Sequence, residues 1–189
     1  MPLIYFIRHG QTDWNAERRF QGQLDVPVND TGRGQAARNG RTLAGIVADP
    51  AAFDFVSSPL RRAAETMEII RREMALAPDA YRTDPRLMEI HVGDWQGRWT
   101  REIFGDAQHH DGGWDFVHPG EGGESYAMLS ARVLAWLAEV KSDTVVTAHG
   151  GVMRCLRRHF LGLDQAEAFK LDAPQDKVLR IDSGALSWL

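Results

Sequence analysis

Residues 3–10 read LIYFIRHG, five apolar residues followed by a cation, an imidazole and a glycine. The apolar part is short and rich in β-forming side chains, which predicts a buried strand that runs into a polar loop. Two later stretches repeat this pattern: residues 53–58 read FDFVSS and residues 143–150 read DTVVTAHG. The sequence therefore predicts three buried strands, each ending in a polar loop.

Helical patterns lie between and after these strands. Apolar residues at helical spacing predict four helices: one over residues 31–48, one from about residue 60, one over residues 125–140, and one that begins at His149. Strands that alternate with helices predict an α/β fold, a three-layer sandwich whose mostly parallel central sheet is flanked by helices. Residues 178–189 are expected to form a closing hairpin. Because such folds bind ligands at the carboxyl ends of their strands, the three polar loops mark the candidate site.

Composition and charge narrow the possible functions. The 189 residues include 22 Lys and Arg and 26 Asp and Glu, a net charge of −4. This balance gives no electrostatic reason to bind nucleic acid or an anionic membrane. The N-terminal apolar run is too short for a secretory signal or a membrane span. Cys155 is the single cysteine, so no intramolecular disulfide is possible, which favours a cytoplasmic protein.

The chain length predicts one domain over residues 1–189. Segment 95–125 is rich in glycine and histidine and lacks a clean period, so we expect it to form a lid or insertion. Residues 32–37 match the pattern GxGxxA, but the strand that should precede a dinucleotide-binding loop is missing. His109, His110 and Asp111 are expected to belong to a solvated loop, and no metal site is predicted.

Charged side chains at the three strand ends indicate a phosphoryl-binding site. Arg8 and His9 follow the first strand, Arg61 lies at the start of the helix after the second, and His149 follows the third. A phosphoryl group carries nearly two negative charges and three equatorial oxygens, so it requires several convergent donors. Two arginines, two histidines and a helix N-terminus supply such donors.

Five motifs resemble those of the histidine phosphatase superfamily, in its phosphoglycerate mutase-like branch. They are residues 6–15 (FIRHGQTDWN), 57–66 (SSPLRRAAET), 87–97 (LMEIHVGDWQG), 119–125 (PGEGGES) and 147–151 (TAHGG). The motifs occur in the family's order and extend over nearly the whole chain. The resemblance implies a phosphoglycerate mutase-like fold.

The resemblance also implies a role for each site residue. His9 is expected to become phosphorylated, and Glu89 to act as the general acid. Arginines supply the positive charge, so the resemblance implies neither a metal nor an organic cofactor. The residues expected to bind the phosphoryl group or the rest of the substrate are Arg8, Arg61, His149, Asn15, Gln21, Gly22, Gln23 and Gly150.

Three functions fit this pattern: a phosphomonoester hydrolase acting on a small phosphorylated metabolite, a phosphoglycerate mutase, and a non-catalytic phospho-ligand-binding protein. The third is disfavoured because every catalytic residue type is present. Segment 95–125 contains two basic and six acidic residues, a poor clamp for a substrate carboxylate, which favours the hydrolase. Four tryptophans near the expected site mouth are expected mainly to pack within the lid: Trp14, Trp95, Trp99 and Trp114. The sequence carries no signal for an oligomeric state.

Overall fold

A computed structural model describes residues 1–105 and 113–189. In these ranges six strands form one sheet in the order β3-β2-β4-β1-β5-β6. The strands are β1 (Ile4–Arg8), β2 (Asp54–Ser57), β3 (Arg82–Thr83), β4 (Thr144–Ala148), β5 (Val178–Asp182) and β6 (Ala185–Trp188). Strands β1 to β4 pair in parallel, whereas β5 and β6 pair antiparallel. The predicted α/β fold with a mostly parallel sheet is confirmed.

The helices of the described ranges are α1 (Asp13–Ala16), α2 (Asp30–Ile46), α3 (Arg61–Glu73), α4 (Thr100–Phe104), α5 (Tyr126–Glu139), α6 (Gly150–Leu161) and α7 (Gln165–Phe169). The long helices α2, α3, α5 and α6 lie where the sequence predicts them. Strand β3 and helices α1, α4 and α7 have at most five residues each, too few for a periodic pattern. Among the described helices, none is long and apolar enough to cross a membrane.

Two hydrophobic clusters on opposite faces of the sheet produce the three layers. Successive side chains of a strand point to opposite faces. Phe6 of β1 accordingly packs in one cluster with Val152 of α6, and this cluster includes residues of α5. Ile7 packs in the other cluster with Met67 of α3, together with residues of α2. Both faces of the sheet are therefore covered by helices.

The strand order places three polar loops side by side. Strand β4 lies between β2 and β1, and all three run in the same direction. Arg8 is in register with Ala148, and Ser57 with Thr147. The residues that follow these strands therefore meet at one edge of the sheet, and the site is built there.

Candidate active site

A cavity of about 360 Å³ opens at the carboxyl ends of β1 and β4. The sequence-predicted residues that line it are Arg8, His9, Asn15, Gln21, Gly22, Glu89 and Gly150. His149 is not among the lining residues, but its ring packs against that of His9. Gln23 and Arg61 lie elsewhere, and Arg62, Tyr126 and Arg154 line the cavity without having been predicted.

His9 presents an unprotonated nitrogen to the cavity. The side chain is 2% exposed, and its Nδ1 lies 2.8 Å from the carbonyl oxygen of Gly10. A carbonyl oxygen only accepts hydrogen bonds, so Nδ1 carries the proton and Nε2 keeps its lone pair. Burial, together with the positive charges of Arg62 and Arg8, holds the pKa of His9 well below 6.5. The ring is therefore neutral and nucleophilic at neutral pH.

His149 packs against His9, with 5.2 Å between the ring centroids. It is fully buried, and its Nε2 lies 2.8 Å from the hydroxyl oxygen of Ser58. Its Nδ1 is buried and has no hydrogen-bond partner in the described part of the chain. Burial and the nearby charge of Arg62 hold the pKa of His149 well below 6.5. An unsatisfied buried nitrogen beside the nucleophile indicates a group that awaits a ligand.

Arg8 and Arg62 bring two positive charges to the site. Arg8 Nη1 donates to the carbonyl of Ala173 at 2.6 Å, and Arg62 donates to the carbonyls of Leu24 and Gly22, both at 2.7 Å. Both Nε atoms are buried without a partner among the described residues. Because their partners are neutral carbonyls, both guanidinium groups are fixed in place and keep their full charge for an anion.

The predicted position of Arg61 in the site is wrong. Arg61 is exposed, and its backbone N–H donates to the carboxylate of Asp25 at 2.9 Å. Consecutive residues of a helix point about 100° apart, so only one of two adjacent arginines can face the sheet. Arg62 shares its helix face with the buried residues Thr66 and Ile70, four and eight positions later. That spacing is the sequence signal that identifies Arg62.

Asn15 of α1 and Gln21, in the segment between α1 and α2, line the cavity. The Asn15 side-chain oxygen accepts from the backbone N–H of Thr12 at 3.1 Å and from the Gln175 amide at 3.1 Å. The same Gln175 amide donates to the carbonyl of His9 at 3.0 Å. Since its oxygen is occupied, the amide nitrogen is the atom of the Asn15 side chain left to contact a ligand. Gln175 orients two site residues at once, and no local motif marks it.

The side chain of Glu89 reaches the N-terminus of α6. Its carboxylate accepts from the backbone N–H of Gly151 at 3.1 and 3.2 Å and from that of Ile90 at 2.9 Å. A Cβ atom on Gly151 would lie 2.3 Å from a Glu89 carboxylate oxygen. Glycine at position 151 is therefore what lets the carboxylate reach the helix end.

The backbone of Glu89 is held by a network that sequence reasoning missed. Arg132 of α5 donates to the carbonyls of Arg86, Met88 and Glu89 at 2.7, 2.6 and 3.0 Å. The same guanidinium pairs with both carboxylate oxygens of Glu124 at 2.8 Å.

Gln23, predicted to contact substrate, instead donates from its side-chain amide to the carbonyl of Glu89 at 2.9 Å. It therefore supports the segment that carries the candidate acid. Gln23 and Arg132 approach the same carbonyl oxygen from two different elements.

The four tryptophans divide into two groups. Trp114 is 3% exposed and packs against Tyr126, with ring centroids 4.8 Å apart, and Trp95 stacks with Phe116. Trp95 therefore packs within segment 95–125, whereas Trp114 packs against residues outside it. Trp14 and Trp99 instead line a second cavity of about 960 Å³, which shares Asn15, Arg19 and Phe104 with the first cavity.

The described residues offer no metal site. Residues 1–105 and 113–189 contain no group of three or more His, Cys, Asp or Glu arranged to hold a metal ion. His109, His110 and Asp111 lie outside the described residues. The positive charges of the candidate site come from arginine side chains, which match phosphoryl oxygens in geometry.

Comparisons with known proteins agree with this chemistry. The profile of the histidine phosphatase superfamily (branch 1) matches residues 4–188. A glucosyl-3-phosphoglycerate phosphatase of Mycobacterium tuberculosis is 34% identical over 86% of this chain and 77% of its own length. A probable phosphoglycerate mutase GpmB of Salmonella paratyphi C is 33% identical over 100% of this chain and 88% of its own. A solved mycobacterial glucosyl-3-phosphoglycerate phosphatase superposes with a TM-score of 0.77 at 29% identity, covering 100% of this chain and 97% of that one.

Proposed function

The chain belongs to branch 1 of the histidine phosphatase superfamily, and on that premise we propose that it hydrolyses a small phosphomonoester through a phosphohistidine at His9. The observation that carries the proposal is the hydrogen bond between His9 Nδ1 and the Gly10 carbonyl, 2.8 Å long. It leaves Nε2 unprotonated in a cavity whose lining includes Arg8 and Arg62, both of which donate to uncharged carbonyls.

In the first step, Nε2 of His9 attacks phosphorus, the N–P bond forms and the P–O bond to the leaving alcohol breaks. Arg8, Arg62, His149 and Asn15 bind the phosphoryl oxygens and stabilise the charge of the transition state. Protonated Glu89 gives its proton to the departing oxygen. The products of this step are the free alcohol and phosphohistidine.

In the second step, water attacks the phosphorus of the phosphohistidine. The Glu89 carboxylate takes a proton from this water, and the electron pair of the N–P bond returns to Nε2. Inorganic phosphate leaves, and both His9 and Glu89 regain their initial protonation states. Because the arginines provide the positive charge, we propose that the reaction requires no metal ion.

We also propose that residues 1–189 form one catalytic domain and that segment 95–125 serves as its lid. The lid contributes Trp95 and Trp114 to packing at the cavity side of the sheet. We assign the enzyme to the cytoplasm because its single cysteine, Cys155, is a buried free thiol.

A phosphoglycerate mutase remains the second candidate, because the probable mutase GpmB aligns with the whole chain. The two activities share the phosphohistidine and differ in what accepts the phosphoryl group. Release of inorganic phosphate from 3-phosphoglycerate is measured against its conversion to 2-phosphoglycerate, with and without 2,3-bisphosphoglycerate. Conversion faster than phosphate release would replace the hydrolase with the mutase.

The proposed intermediate is tested by rapid acid-free quench of the enzyme with ³²P-labelled substrate. We expect acid-labile, base-stable label on the wild-type protein and none on His9→Ala, whose kcat falls by several orders of magnitude. Label that persists in His9→Ala would refute the assignment of the nucleophile.

A further inference from the structure

A serine that the proposed reaction does not use contacts one of the two site histidines. Ser58 follows β2 and is fully buried, and its Oγ lies 2.8 Å from Nε2 of His149. The two nitrogens of an imidazole point in nearly opposite directions, so Nδ1 points away from this hydroxyl. The proposed reaction uses His149 as a donor to a phosphoryl oxygen, which requires a hydrogen on Nδ1. Which group Nε2 contacts therefore matters, because that contact sets the tautomer of the ring.

The hydrogen bonds of Ser58 determine where its own proton points. Its Oγ accepts from the backbone N–H of Leu60 at 3.3 Å. Within residues 1–105 and 113–189, Nε2 of His149 is the sole acceptor within hydrogen-bonding distance of the Ser58 hydroxyl. A hydroxyl proton directed elsewhere would lack an acceptor, which is costly in a buried site. The hydroxyl therefore donates to Nε2, and Nε2 carries the lone pair of the ring.

The charge around the ring favours the opposite arrangement. Arg62 and Arg8 place positive charges near His149, and neither Nε atom has a partner among the described residues. A cationic cavity attracts the lone pair of a nitrogen and repels an N–H group. Because the ring is neutral, only one of its nitrogens carries a hydrogen. Without the Ser58 hydroxyl, the two arginines would favour a lone pair at Nδ1 and a hydrogen at Nε2.

His9 and His149 hold the same tautomer but offer opposite ends of the ring to the phosphoryl group. The Gly10 carbonyl accepts from Nδ1 of His9 and leaves Nε2 as the nucleophile. The Ser58 hydroxyl donates to Nε2 of His149 and leaves the Nδ1 hydrogen free. The ring centroids lie 5.2 Å apart. Two adjacent imidazoles thus divide between them the attack on phosphorus and the donation to its oxygen, and their partners decide which ring does which.

We propose that Ser58 is a positioning residue: its hydroxyl donates to Nε2 of His149 and thereby makes Nδ1 a hydrogen-bond donor to the phosphoryl group. This inference rests on the proposed hydrolase function and adds the residue that fixes one of its donors. Because the hydrogen is on Nδ1 before the substrate arrives, no proton has to move within the ring when the phosphoryl group binds. The donor is then preorganised for the charge of the transition state.

The first test is the tautomer of His149 in Ser58→Ala, with Ser57→Ala as the matched control. Ser57 is also fully buried, but its hydroxyl donates to the Ser58 carbonyl at 2.8 Å and accepts from Thr147 at 2.9 Å. Protein labelled with ¹⁵N in its histidine rings gives distinct signals for protonated and unprotonated nitrogens, and His149→Gln identifies those of His149. We expect the hydrogen on Nδ1 in the wild type and in Ser57→Ala, and on Nε2 in most molecules of Ser58→Ala.

The second test is a double-mutant cycle followed by hydrolysis of p-nitrophenyl phosphate. We expect kcat/KM to fall about 10- to 100-fold in Ser58→Ala, the effect of leaving a buried polar group unsatisfied, and by no more than about twofold in Ser57→Ala. In a His149→Gln background, Ser58→Ala should change kcat/KM by less than about threefold, because the residue it acts through is absent. A purely structural role would give the same loss in both backgrounds.

Three results would overturn the positioning role. They are a hydrogen on Nε2 of His149 in the wild type, which requires no variant to fold, a hydrogen that stays on Nδ1 in Ser58→Ala, and equal losses in the two backgrounds of the cycle. Ser58 would then serve only to cap the start of α3 through Leu60, and phosphate release by the wild type would still support the hydrolase. Absence of phosphate release from the wild type would refute the hydrolase, whatever tautomer the spectra show.

Discussion

Substitution of Arg62 by methionine, with Arg61→Met as the matched control, tests the site at adjacent positions of one helix. Arg62 is fully buried, and two of its donors are committed to carbonyls at 2.7 Å. Arg61 is exposed, and its backbone N–H, not its guanidinium, donates to Asp25. Each variant removes one positive charge, so any difference between their activities results from the different positions of the two side chains.

The structure sets the expected sizes of the effects. An arginine that stabilises a transferring phosphoryl group contributes about 10³–10⁵-fold to kcat. Loss of two charged hydrogen bonds destabilises the protein by about 3–6 kcal/mol. Burial, however, lowers the pKa of Arg62 to about 10, which corresponds to a cost of about 3 kcal/mol that the variant recovers. The net loss of about 0–3 kcal/mol leaves a protein of ordinary stability folded.

The assay is hydrolysis of p-nitrophenyl phosphate as a function of pH, with urea denaturation as the check on folding. We expect kcat/KM to fall at least about 10³-fold in Arg62→Met and by no more than about twofold in Arg61→Met. Arg62 also lowers the pKa of His9, so the acid limb of the profile should move to higher pH in Arg62→Met. An equal or larger loss in Arg61→Met would refute the assignment.

Three further results are expected. Because burial holds the pKa values of His9 and His149 well below 6.5, the unfolded chain binds protons below that pH that the folded chain does not. Each histidine then lowers the free energy of unfolding by up to about 1.4 kcal/mol for each unit by which the pH falls below 6.5. Urea titrations between pH 7 and 5 should therefore show a smaller loss of stability in His9→Gln than in the wild type; identical losses would show that His9 is not held neutral in the fold. Arg132→Met should reduce alkyl phosphate turnover at least tenfold more than p-nitrophenyl phosphate turnover, because Arg132 holds the backbone of Glu89 and only the alkyl leaving group requires its proton; parallel losses would assign Arg132 to general stability. Activity should survive EDTA, and its loss with recovery on addition of Mg²⁺ would show that a metal supplies the charge.

Local sequence patterns are sufficient for the long helices and for every described strand except the two-residue β3. The stretch before Arg8 is apolar and β-forming over a full strand, and the residue after it must lie at the carboxyl edge of a parallel sheet. His9 and His149 are predicted from their positions after strands, and Glu89 is predicted from the motif in residues 87–97. Arg61 was predicted in place of Arg62, whose side chain points about 100° away around the helix. The spacing between Arg62 and Thr66, both on the buried face, identifies the correct arginine.

Other site residues could not be read from local patterns because tertiary contacts define them. Arg132 contacts the Glu89 carbonyl across 43 positions, and Gln175 contacts Asn15 across 160. Neither residue lies in a motif that marks its role. Only the packing of α5 beside the Glu89 segment, and of the chain before β5 beside the loop after β1, brings them together.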